Sequence, residues 1–88
     1  MDLKEVMAVN LRRSRHEKKM TQEKLAESAG LSARYVGAIE RADVSASVTV
    51  LGQIADALGI EAADLLRKPA PRDSGMMTGV GGDAPPGQ

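Results

Sequence analysis

The chain has 88 residues, twelve basic and twelve acidic side chains, no cysteine and a single aromatic residue, Tyr35. That length suits one small domain, and the missing cysteines exclude disulfides and thiolate metal sites. No apolar run approaches the roughly 20 residues that cross a bilayer, and the opening Met-Asp-Leu-Lys-Glu has no apolar signal core, so a cytoplasmic protein is expected.

With one aromatic side chain, the core must be built from Leu, Ile, Val, Met and Ala, which suits close-packed helices. An all-α domain of five helices is predicted. The first covers about residues 3 to 19, where Met7, Leu11 and Ser14 recur at i, i+4 and i+7. Thr21 is an N-cap candidate for a second helix over 22–29, whose apolar face is Leu25, Ala26 and Ala29. Gly30 stands where that helix should stop, since glycine accepts the left-handed conformation. Ser32 is the cap of a third helix over 33–41, with Val36 and Ile39 turned inward together. Small Ala26 lets the second and third helices approach steeply, and two short helices joined by so tight a turn form a helix-turn-helix.

Ser47 caps a fourth helix over 48–58 that Gly59 ends, with Val48, Leu51, Ile54, Ala55 and Leu58 in register. A short fifth helix over 62–67 carries Leu65 and Leu66. Val48 and Leu65 read as core. From Pro69 onward Pro and Gly dominate, so the domain is placed at 1–68 and a disordered tail at 69–88. Met76, Met77 and Val80 offer the tail a weak docking segment for a protein partner.

Zero net charge argues at first against nucleic acid, but the charges are segregated. Residues 11–41 carry eight basic side chains (Arg12, Arg13, Arg15, Lys18, Lys19, Lys24, Arg34, Arg41) and four acidic ones, a net of +4. Residues 42–66 carry Asp43, Asp56, Glu61 and Asp64 and no base, a net of −4. A dipolar domain presents its positive side to phosphate. The plainer alternative for the 12–19 run is a solvated helix face.

The frame Met-Thr-Gln-Glu…Leu-Ala…Gly-Leu-Ser…Tyr-Val…Ile-Glu-Arg, with Gln22, Leu25, Ala26, Gly30, Leu31, Val36, Ile39 and Glu40, resembles the helix-turn-helix of phage repressor and Cro proteins. It is equally similar to the bacterial xenobiotic-response-element regulators, and the wider likeness runs from about Met7 to Leu66. The resemblance implies a lambda-repressor-like DNA-binding domain that inserts its third helix into the major groove. It also implies a homodimer on a palindrome with half-sites about one helical turn apart. The expected function is a transcriptional regulator, most simply a repressor. Restriction–modification controllers and toxin–antitoxin partners are subclasses of that reading.

By the same resemblance, Ala33 and Arg34 meet base edges, with Ala38 one turn further along an exposed face that includes Ser32, Gly37 and Arg41. Arg34 can donate twice to guanine O6 and N7; its alternatives are a phosphate contact or a free surface arginine. The two alanines offer only methyl groups, so DNA shape carries part of the specificity. Gln22, Lys24, Ser32, Tyr35 and Arg41 are expected on phosphate. Gly37, mid-helix, implies either close approach of DNA or plain tolerance. Arg15 and Glu40 are expected as a structural salt bridge. Where the family often has a Gly-basic-Asn-Pro loop, this chain has Ala42-Asp43-Val44-Ser45-Ala46, without the basic grip. Val44, Gly52, Ile60 and Leu66 are candidates for the dimer interface, as are Val48 and Leu65, for which internal core is the favoured reading.

The competing class is a helix-turn-helix that binds a protein, antitoxin-like, and DNA only weakly; Asp43 and the alanines on the reading face favour it. An enzyme is not expected. The single histidine, His16, has no catalytic or metal-binding neighbours in the pattern, and no cofactor site is expected.

Overall fold

Asp2 starts the first helix by accepting from the Glu5 N–H at 2.9 Å, while the Glu5 carboxylate accepts from the Asp2 N–H at 3.1 Å. This reciprocal pair satisfies two otherwise orphaned donors. In the computed structural model, which describes residues 1–69, five helices follow: α1 (Leu3–Glu17), α2 (Gln22–Ala29), α3 (Ala33–Glu40), α4 (Val48–Leu58) and α5 (Ala62–Leu65). Apart from Pro69, the expected tail with Met76, Met77 and Val80 lies outside the described residues. Thr21, Ser32 and Ser47 cap α2, α3 and α4 by accepting from the N–H groups of Lys24, Tyr35 and Val50.

The helix ends share one device. Gly30, at φ +73°, donates to the Glu27 carbonyl while Leu31 donates to Ala26, and Gly59 with Ile60 closes α4 in the same way. Lys19 (φ +57°) with Met20 closes α1, and Ala42 (φ +60°) with Asp43 closes α3. These closures end α1 and α3 earlier than residues 19 and 41. A side chain in the left-handed region is strained. Ala42→Gly is therefore expected to stabilise the domain by about 0.5–1 kcal/mol, the relief of strain being partly offset by the freer unfolded chain. Thermal or urea unfolding reads this directly, and an unchanged midpoint would show that Ala42 sits without strain.

Each helix packs chiefly on two others: α2 on α3 and α4, α1 on α3 and α5, and α4 on α5. Leu11, Leu25, Val36, Ile39, Ile54 and Leu65 are the fully buried centre, with Met7, Ala26, Ala29, Leu51, Ala55 and Leu58 around them. Val6 is also fully buried. Two amides staple the layers. Asn10 Nδ2 on α1 donates to the carbonyls of Leu65 and Arg67, and Gln53 Nε2 on α4 donates to the Ala29 carbonyl at the end of α2. Each fills an acceptor that a helix terminus leaves without an intrahelical partner.

Val48 departs from the predicted core, being 85% exposed. It opens α4 and lies about 70° round the helix from the middle of the Leu51–Ile54–Ala55–Leu58 stripe at 3.6 residues per turn. Ser14 is half-buried and lines a shallow groove with Ile60 and Leu65. No helix among the described residues is long and apolar enough to cross a membrane.

Candidate nucleic-acid interface

The α2–turn–α3 unit is held from behind by one carboxylate. Glu40, 3% exposed, accepts from Arg15 Nε at 2.6 Å and Arg15 Nη2 at 3.1 Å, and from Gln22 Nε2 at 3.1 Å. Arg15 also donates from Nη1 to the Met20 carbonyl at 2.7 Å, and Arg12 Nη1 donates to the Glu40 carbonyl at 3.1 Å. One cluster thereby joins α1, the start of α2 and the end of α3. Burial pushes the Glu40 carboxyl up, but hydrogen bonds from Arg15 and then Gln22 outweigh it and hold it below its ordinary value. The Arg15 guanidinium is raised, chiefly by its hydrogen bond to Glu40. A bidentate guanidinium–carboxylate pair is rigid as well as strong, so the orientation of α3 is set before any ligand arrives.

The opposite side of α3 is open. Ser32, Arg34 and Arg41 are exposed, Ala38 is half-buried, and Ala33 and Tyr35 are half-buried against the core. Arg34, Ala38 and Arg41 fall at i, i+4 and i+7, a single stripe. Lys24 stands exposed in the first turn of α2. Among the described residues the N–H groups of Gln22 and Glu23 at the start of α2, and of Ala33 and Arg34 at the start of α3, have no partner. Such helix starts favour an anion.

Gly37 is not on the open face but buried. A Cβ there would stand 3.2 Å from Arg41 Nη1 and 3.4 Å from Gln22 Oε1. The glycine makes room for two side chains of this protein, so the structure supplies its reason without DNA. Arg41 is itself engaged: its Nε donates to Asp43 Oδ2 at 2.9 Å, with the two side chains 63% and 57% exposed.

The proposed interface residues are scattered. Leu66 lines an apolar groove with Leu3, Met7, Val48 and Leu51, and Val44 is exposed nearby in sequence. Ile60 lies in a separate groove beside Asn10 and Arg13, and Gly52 has open space where a Cβ would point. Pattern reasoning missed Arg12, Asn10 and Gln53, because each acts on a helix-end carbonyl far away in sequence.

Residues 11–65 match the family described as Helix-turn-helix. Control protein C.SmaI of Serratia marcescens is 37% identical over 68 residues, 77% of this chain and 81% of that protein. The structure of the hypothetical transcription factor NHTF from Neisseria superposes with a TM-score of 0.75 at 40% identity, covering 77% of this chain and 78% of that one. The restriction-modification controller protein C.AhdI from Aeromonas hydrophila gives a TM-score of 0.69 at 35% identity, covering 70% and 94%.

Proposed function

The chain belongs to the helix-turn-helix family of DNA-binding transcription regulators, and from that premise we propose that it is a sequence-specific regulator reading the major groove with α3. The observation that carries this is the asymmetry of α3. One side is locked to α1 and α2 through Glu40, and the other presents Arg34 and Arg41 outward. A helix so fixed keeps its orientation when it meets DNA, and little binding energy is spent on ordering it. Arg34 and the methyl groups of Ala33 and Ala38 read bases. Gln22, Lys24, Ser32, Tyr35 and Arg41, with the open helix starts, hold phosphate.

The protein acts as a homodimer on a palindromic operator, in a role akin to the controllers it is similar to. Val48, Leu3 and Val44, at 85%, 58% and 36% exposure, supply an apolar surface suited to a second copy, together with Leu66. Repression follows where the operator overlaps a promoter.

Selection of bound sequences from a random duplex library at moderate salt tests the reading. Enrichment of a two-fold symmetric site is expected. A folded protein that enriches nothing would favour the protein-binding alternative, in which the tail or the apolar groove meets a partner.

A further inference from the structure

We propose that Asp43 competes with DNA phosphate for Arg41 and so sets how tightly the chain holds the DNA backbone; the inference rests on the DNA-binding reading above. Arg41 lies over Gly37 on the same stripe of α3 as Arg34, yet its Nε is taken by the Asp43 carboxylate at 2.9 Å. A phosphate reaching Arg41 must displace that carboxylate or lie against its negative charge.

Nothing in the local architecture calls for an acid at this position. In the four helix closures the residue after the left-handed one donates its N–H back into the helix. Three of those residues, Met20, Leu31 and Ile60, also pack against the core. Asp43 makes the same backbone bond, to the Ala38 carbonyl at 2.9 Å, but its side chain stays exposed. A carboxylate at a helix C-terminus opposes the helix dipole. The acid is thus unfavourable to its own helix, and its side-chain partner among the described residues is Arg41. Weakening one backbone contact lowers affinity for all sequences alike, and leaves the base contacts a larger share of operator binding. Asp43 is therefore a residue that sets affinity for the DNA backbone, touches no base and leaves the ratio between operator and other sequences unchanged.

The test compares wild type with Asp43→Asn, each alone and in an Arg41→Ala background. Binding to the selected duplex and to a scrambled duplex is measured from about 50 to about 200 mM salt. D43N is expected to bind both duplexes more tightly, with a salt slope steeper by about 1.8, the value for one added phosphate contact in each protomer of the proposed dimer. Its advantage then shrinks about 12-fold across that fourfold range of salt. In the R41A background most of the gain disappears. Unchanged or weaker binding by D43N overturns the proposal, and so does an equal gain with and without Arg41, which would be a plain charge effect. Should neither protein bind DNA at any salt, the regulator reading falls and takes this inference with it. Wild type binding normally while D43N gains nothing sinks the inference alone.

Discussion

Arg15→Ala is expected to destabilise the domain by about 3–5 kcal/mol, the loss seen when one partner is removed from a buried ion pair. The variant leaves the Glu40 carboxylate, 3% exposed, with only the Gln22 amide as a side-chain partner. A domain of this size has roughly 3–10 kcal/mol in total, so about a third or more of the folded-state stability is at stake. Urea unfolding followed by far-UV circular dichroism measures it. Replacing both residues by methionine should be milder than Arg15→Ala, because no buried charge is then stranded. A double variant as unstable as the sum of the singles would show that the two act independently. The same pair predicts an acid response. Glu40 has its folded-state pKa depressed, so between the folded and unfolded values the unfolded chain binds the extra proton. Its contribution is fully present above about pH 4.3, the ordinary glutamate value, and is lost as pH falls through the folded value. Glu40→Gln should remove that component of the acid loss. An unaltered acid profile in Glu40→Gln would assign the loss to other carboxylates.

The fold was legible where the code is local. Thr21, Ser32 and Ser47 sit at helix starts and Gly30 and Gly59 at helix ends because each residue type answers a specific need of a helix terminus. The apolar stripes of α2 and α4 follow directly from the 3.6-residue period. Legibility ended where non-glycine residues carried the same geometry. Lys19 and Ala42 terminate helices in the left-handed region without any glycine to announce it. It ended again where a side chain answers a distant backbone group, as Asn10 and Gln53 do. Val48 is apolar and yet faces solvent, because it opens α4 at the edge of the apolar stripe rather than along its middle. At the candidate interface, composition showed that α3 has few groups able to read bases. It did not show that Arg41 is already held by Asp43, since spacing of two residues puts no helical pair together. Only the turn at Ala42 brings that carboxylate round.

Arg34→Ala should separate base reading from backbone holding. A bidentate arginine–guanine contact is worth about 1–3 kcal/mol of discrimination, so a dimer losing it in both half-sites loses about 2–6 kcal/mol on the selected operator. Binding to scrambled duplex should fall far less, and the selected site should lose its preference at the base pair that Arg34 reads. Arg34→Lys should recover little of the discrimination, because an ammonium lacks the planar fork that matches O6 and N7. Lys24→Ala gives the opposite signature: affinity drops by a similar factor on every sequence and the salt slope becomes shallower. These profiles rest on the differing stations of the two side chains, Arg34 in the first turn of α3 on its open face and Lys24 in the first turn of α2. Equal losses on selected and scrambled DNA for Arg34→Ala would place that arginine on phosphate. Specificity would then have to come from the methyl groups of Ala33 and Ala38 and from the deformability of the operator itself.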